Sequence, residues 1–250
     1  MHTKKHLGQN FLIDQRIQNK IIESCDLQPD DIVVEIGPGQ GAITRLIAPK
    51  VKRLICVETD RDLIEGLRQE FPNVEIIHAD FLRWDMGGLP AGIKVIGNIP
   101  YYISTPIIER LIEQHSNISA AFLTVQLEFG QRLAAQPGGK DYGALTCFVQ
   151  YYAESKVLFK IKPACFKPAP KVDSCFVSLR MRPDVNDNPK LFQVIQKAFQ
   201  QRRKTIANAL AGLNQAGRLE IILKQLNLDP KLRPENLTLQ NYVDIVNAIC

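Results

Sequence analysis

No C-x-x-C pair occurs among the six cysteines of this 250-residue chain, at positions 25, 56, 147, 165, 175 and 250. Their wide, irregular spacing speaks against a zinc site or a disulfide framework and for a reducing, cytoplasmic setting. Cys56 (in LICVE) and Cys147 (in ALTCFV) lie in apolar runs, where cysteine acts as a small hydrophobe. No uninterrupted apolar run approaches the roughly 18 residues of a membrane helix. The start, MHTKKHLGQNF, has no apolar stretch after its charges, so no secretory signal is expected. There is no G-x-x-x-x-G-K-[ST], no H-E-x-x-H and no G-x-S-x-G, which leaves P-loop, zincin and serine-hydrolase readings unsupported and no metal assigned. Repeats and low-complexity segments are also missing. What remains is an ordinary globular composition, 45% hydrophobic and 23% charged, enough to bury a core.

The formal net charge of +5 is mild, but it is unevenly placed. Residues 156–182 carry seven Lys/Arg against the single Asp173, so the rest of the chain is close to neutral. A concentrated basic stretch suits a polyanion such as nucleic acid; a solvated, lysine-rich surface strand is the plainer alternative.

From about residue 30 to 126, short β-rich runs alternate with amphipathic ones. IVVEI (32–36), RLICVE (53–58), VEIIHA (74–79), IKVIGNI (93–99) and ISAAFLTV (118–125) read as strands, with helices such as 61–71 and 105–115 between them. This alternation predicts an α/β fold, a parallel sheet with helices on both faces. Residues 14–25 read as a leading helix capped by Asp14, and 142–153 as another. KVLFKI (156–161) and SCFVSLRM (174–181) look like a closing pair of strands. The turn-rich PDVNDNP (183–189) is the expected linker. Helical periods without strands follow it. The expected division is therefore a domain over 1–183 and a small all-helical domain over 184–250.

The first strand runs into Gly37-Pro38-Gly39-Gln40-Gly41. Such glycines let the chain turn sharply and let a nucleotide-type ligand approach the backbone at the carboxyl end of a strand. Glu58 ends the second strand, 21 residues past Gly37, where an acid can hold both ribose hydroxyls. A dinucleotide enzyme would carry the same acid, but the spacing here is G-x-G-x-G rather than G-x-G-x-x-G. Glu35 just before the loop disfavours a pyrophosphate and is compatible with a sulfonium. Asp80, after the third strand, is placed either to accept from an adenine amino group or to cap a helix. The set fits S-adenosylmethionine.

The fourth strand runs into Asn98-Ile99-Pro100-Tyr101. An exocyclic adenine amine is a poor nucleophile because its lone pair is delocalised into the ring. A site that accepts both N–H bonds favours a pyramidal, nucleophilic nitrogen. The Asn98 side-chain carbonyl and the Ile99 backbone carbonyl can do so, with Pro100 holding Ile99 extended. Tyr101 offers a flat face on which an extruded base can stack. An ordinary strand-end turn is the alternative.

HLGQNFLID (6–14), EIGPGQGAIT (35–44), VETD (57–60), Asp80, NIPYYIST (98–105), FKPAPKVDS (166–174) and FQQRRKTIANAL (199–210) together resemble the adenine-N6 dimethyltransferases of ribosomal RNA, most closely the small-subunit KsgA type. The resemblance implies a Rossmann-like methyltransferase domain with a small helical companion. It implies S-adenosylmethionine contacts from Asn10, Leu12, Gly37, Glu58, Asp80 and Asn98. It places Phe166 across the target base from Tyr101; read from the residues alone, Phe166 is either a stacking platform or a core anchor. The implied substrate is a pair of adjacent adenosines in the 3′-terminal hairpin loop of 16S rRNA, each dimethylated on a partly assembled small subunit. Nothing in the sequence demands more than a monomer. Two positions depart from the family pattern: Tyr102 follows the motif in place of Asn, and Leu127 stands where Lys is usual. Arg202-Arg203-Lys204 reads as a basic cluster on a helix, facing either RNA phosphates or solvent.

Overall fold

A computed structural model describes residues 9–213 and 218–249. The chain divides into two compact units: one of residues 1–130 and 152–184, the other of 131–151 and 185–250.

The first unit is built on a seven-stranded sheet. Its strands are β2 (Ile32–Ile36), β3 (Arg53–Glu58), β4 (Glu75–His78), β5 (Ile93–Asn98), β6 (Ile118–Gln126), β7 (Ala153–Ile161) and β9 (Ser174–Met181), in the order β4-β3-β2-β5-β6-β9-β7. The first five are mutually parallel, and β9 and β7 close the sheet antiparallel. The central strands are buried along nearly their whole length, as expected for strands covered on both faces. From β2 the chain winds outward through β3 to β4, then returns to place β5 on the other side of β2. Ligands of open α/β sheets bind at the carboxyl ends of strands that flank such a reversal. The glycine loop follows β2 and the NIPY segment follows β5.

A further pair was not expected. β1 (Phe11–Leu12) and β8 (Phe166–Lys167) form a two-stranded antiparallel ribbon, Leu12 opposite Phe166. Two-residue strands leave no periodicity to read.

The helices of this unit include α1 (Gln15–Ser24), α2 (Thr44–Ile47), α3 (Arg61–Glu70) and α4 (Ser104–Glu113). Asp14 caps α1 by accepting from the backbone N–H groups of Arg16 and Ile17, as expected. Gly41 sits at φ +75°, and a Cβ there would lie 2.4 Å from the Phe71 ring. Only glycine lets α2 start this close to the residue that follows α3.

The helical unit contains α7 (Pro189–Gln200), α8 (Ile206–Leu210), α9 (Arg218–Gln225) and α10 (Leu239–Ile249). It also takes in α6 (Ala144–Tyr152) up to Tyr151, together with the end of α5 (Leu127–Leu133). A linear cut at 183/184 therefore differs from the compact division by the excursion 131–151. The reason is packing. Tyr142 and Cys147 are buried with Leu191, Ile195, Leu237 and Tyr242, and Tyr142 meets Phe199 edge-on. Helical periodicity shows which face is apolar, not which core receives it.

The basic cluster is also placed differently. α7 ends at Gln200, and Arg202–Lys204 lie in the turn before Thr205 caps α8. Arg202 donates to the Gly139 carbonyl and pairs with Glu235 at 3.5 Å, so it fastens its own unit together. Arg203 and Lys204 are exposed. Among the described residues no helix is long and apolar enough to cross a membrane.

Candidate active site

A cleft of about 380 Å³ opens at the carboxyl ends of β2, β3 and β5. That is within the range of sites for small molecules. The glycine loop, the VET segment, Asp80 to Leu82, and Asn98 to Ile103 line it from one side, and Gln9 to Ile13 from the other. Of the expected residues, Asn10, Leu12, Gly37, Glu58, Asp80, Asn98, Ile99, Pro100 and Tyr101 all meet at this one cleft.

Phe166 does not. It is only 3% exposed and is buried in the main core with Leu12, Phe122 and Phe176. Pairing with β1 turns its ring inward, so in this structure it is a core anchor rather than part of the cleft wall.

Glu58 is buried, and each of its carboxylate oxygens accepts a main-chain hydrogen bond: Oε2 from Gly39 N–H at 3.1 Å, Oε1 from Asp60 N–H at 2.8 Å. Burial raises its pKa, and the backbone donors oppose that rise. One acid thus ties the glycine loop to the end of β3, and each oxygen keeps a lone pair for a ligand hydroxyl. Gly37, at φ +64°, has no heavy atom within 4 Å of where a Cβ would stand. Its backbone is open to an approaching ligand.

Glu35 is also buried. Its Oε2 accepts from the Thr44 hydroxyl at 2.7 Å and from the Cys56 thiol at 3.4 Å. Burial pushes its carboxyl up to about 7, against the pull of those two donors. Asp80 caps the turn after β4 by accepting from Leu82 N–H at 3.0 Å, and it also lines the cleft. What Asp80 caps is a turn rather than the helix of the alternative reading, and its place on the cleft is the one the ligand reading expects.

The donor set tests the cofactor. Glu35, Glu58 and Asp80 line the cleft, and no Lys or Arg does so among the described residues. Such a site repels a pyrophosphate and suits a cation. Ile36, Pro38, Phe81 and Leu82 add apolar wall against which a base can lie. S-adenosylmethionine, with its adenine, ribose diol and sulfonium, fits this set.

At the other end of the cleft, Asn98 Nδ2 donates to the Asn10 backbone carbonyl at 2.8 Å. Its Oδ1 is left without a partner among the described residues, and so is the Ile99 carbonyl. Pro100 has φ −60° and ψ 135°, which keeps the segment extended up to the 3-10 turn Tyr101–Ile103. The Tyr101 hydroxyl and the fully buried Ser174 Oγ are 2.6 Å apart. Tyr102 is 63% exposed at the edge of the cleft, and Ile13 is 54% exposed.

The sequence reading missed Gln9, which donates to Asp60 Oδ2 at 3.0 Å and joins the N-terminal wall to the end of β3. It also missed Phe11, Phe81 and Ser174. For Ser174 a signal existed, since it ends the FKPAPKVDS motif. Gln9 and Phe11 likewise lie inside HLGQNFLID.

Two carboxylates at adjacent strand ends and two unfilled acceptors beside an aromatic ring make a site that can hold a cationic nucleoside next to an amine. The chain's likenesses agree with that arrangement. "Ribosomal RNA small subunit methyltransferase A" of Alkaliphilus metalliredigens is 40% identical, covering 98% of this chain and 91% of that protein. The Clostridium acetobutylicum protein of the same name is also 40% identical, covering 98% and 93%. Among solved structures, a dimethyladenosine transferase from Plasmodium falciparum aligns with TM-score 0.84 at 24% identity over 94% of this chain and 95% of that one, which supports the fold. The 23S rRNA methyltransferase ErmE aligns with TM-score 0.78 at 27% identity over 96% and 99%. The family model for ribosomal RNA adenine dimethylase matches residues 1–250, and the chain belongs to that family.

Proposed function

We propose that this protein is the S-adenosylmethionine-dependent enzyme that dimethylates N6 of two adjacent adenosines in the 3′-terminal hairpin loop of 16S rRNA. It would act on the small subunit or its precursor, in the cytoplasm, as a monomer. The observation that carries this reading is the pair of unpartnered acceptors, Asn98 Oδ1 and the Ile99 carbonyl, beside the Tyr101 ring. Unpaired loop bases suit such a site because extruding them is least costly.

S-adenosylmethionine supplies the electrophilic methyl on a sulfonium. In the first transfer Asn98 and Ile99 accept the two N6–H bonds and hold the nitrogen lone pair toward the donor; in the second, one of them accepts the single N–H that remains. Tyr101 stacks on the purine and fixes its plane. Asn98 is uncharged, so it places no anion beside the sulfonium. No buried base is required, because the amine becomes acidic once methylated and its proton passes to bulk solvent as the product base leaves. The work of the chain is positioning and exclusion of water. Glu58 and Asp80 hold the ribose and adenine of the donor. The helical unit contributes to recognition of rRNA, with Arg203 and Lys204 as its exposed cations.

The test is methyl transfer to isolated ribosomal subunits. Labelling of small subunits at N6 of the paired adenosines is expected, with mass spectrometry of rRNA from cells with and without the protein as the check. Transfer to large subunits instead would favour an activity like that of ErmE.

Lys167 and Lys171 are exposed, and neither forms an ion pair among the described residues. Reversing both charges is expected to weaken RNA binding most at low salt. The slope of log affinity against log salt should flatten by at least roughly 1.4, at about 0.7 per single-strand phosphate contact. An unchanged slope would show that these lysines do not meet phosphates.

Glu35 gives a pH dependence. With its pKa raised to about 7 from the usual 4.5, the folded protein keeps a proton that the unfolded chain has lost. Its contribution to stability is therefore full below about 4.5 and declines as pH rises to 7, by on the order of 3 kcal/mol. A cationic ligand favours the ionised form. Donor affinity is expected to fall as pH drops through 7, and Glu35→Gln should flatten that profile in calorimetry.

A further inference from the structure

The loop that links β8 to β9 begins at Phe166 and ends at Ser174, and both ends are fixed. Phe166 and Lys167 pair with Leu12 and Phe11, the strand that walls the cleft. Just before Ser174, the Asp173 carbonyl accepts from Leu127 N–H at 3.0 Å and the Asp173 carboxylate pairs with Lys162 at 2.8 Å. Ser174 itself stands in register with Gln126 of β6 and Ile161 of β7. Its side chain is fully buried and lies 2.6 Å from the Tyr101 hydroxyl.

A tyrosine ring turns about two side-chain bonds, and stacking alone leaves its tilt loosely defined. A hydrogen bond at the para position, 2.6 Å from a hydroxyl held by a strand inside the sheet, fixes the direction of the ring axis; the oxygen lies on the rotation axis of the second bond, so the bond sets where the ring sits rather than its turn about that axis. The lone hydroxyl of a serine at 0% exposure is otherwise a burden on a β-strand core. We propose that Ser174 is a positioning residue for methyl transfer, setting where the Tyr101 ring lies in the cleft and through it the position of the bound adenine. The inference rests on Tyr101 being the base platform.

Misplacing a reacting nitrogen by a fraction of an ångström lowers the rate without weakening donor binding. Ser174→Ala is therefore expected to lower kcat for subunit methylation about tenfold, the size of one lost hydrogen bond of ordinary strength. The KM for S-adenosylmethionine should stay unchanged. Tyr101→Phe removes the same hydrogen bond while keeping the ring, and should lower kcat by a similar factor. The deciding measurement is the double variant. If Ser174 acts through Tyr101, adding Ser174→Ala to Tyr101→Phe produces no further loss.

Multiplicative losses in the double variant would overturn the proposal, since a general packing role of Ser174 survives removal of the phenol oxygen. A Ser174→Ala enzyme with wild-type kcat would also overturn it. Wild-type protein that methylates no ribosomal particle would instead sink the reading of the site itself, so the two failures are distinguishable. If Ser174→Ala fails to fold, Tyr101→Phe decides alone, and wild-type kcat in that variant overturns the proposal.

Discussion

Asn98→Ala is expected to lower methyl transfer by roughly a hundredfold or more while leaving RNA affinity close to wild type. The estimate follows the loss seen when one preorganised hydrogen-bonding group aimed at a reacting centre is removed. Asn98 Oδ1 has nothing else to do among the described residues, and its Nδ2 already holds the Asn10 carbonyl at 2.8 Å. The side chain is thus fixed before substrate arrives. Alanine removes the acceptor and the anchor together, so donor affinity should also weaken, but by less than the rate. Single-turnover methylation with saturating donor separates the two effects. An Asn98→Ala enzyme with unchanged turnover would remove the role given to this carboxamide.

Glu58→Ala should abolish useful cofactor binding, with affinity down at least roughly a hundredfold. Two contributions add. The ribose loses a charged acceptor, and the Gly39 and Asp60 N–H groups lose the carboxylate that holds them. Glu58→Gln keeps a carbonyl oxygen for one of these donors and should fall between alanine and wild type. Calorimetry with the donor or its demethylated product reads both. The melting temperature of Glu58→Ala should also drop, because a buried N–H left unpaired costs about 1–3 kcal/mol. Wild-type affinity in Glu58→Ala would mean that the cleft holds its ligand elsewhere.

The legible part of this site is the part that regular spacing creates. Each strand from β2 to β5 ends in the segment that carries chemistry, so reading the strands located Glu58, Asp80 and Asn98 without any contact being known. The acids Glu35 and Glu58 could also be read, because the residue type survives folding; the upward push that burial gives their carboxyls could not. What could not be read depends on tertiary partners. Phe166 in a lysine- and proline-rich stretch has the composition of an exposed platform; only the ribbon with Leu12 shows that its ring faces the core. Arg202 has the composition of a phosphate contact, yet Glu235 and the Gly139 carbonyl hold it. The helix at 144–152 was visible as a helix, but its burial against Leu191 and Tyr242 was not. Ser174 was part of a noticed motif, and its meaning appeared only with Tyr101 at 2.6 Å.

The ribbon between Leu12 and Phe166 has a bearing on how the enzyme is born. One wall of the donor pocket, Phe11–Leu12, is translated more than 150 residues before the strand that fastens it, Phe166–Lys167. A growing chain that has completed β2 to β6 already owns the glycine loop and the NIPY segment, yet it lacks the partner strand of that wall. That wall gains its partner strand only when the polypeptide has passed Lys167.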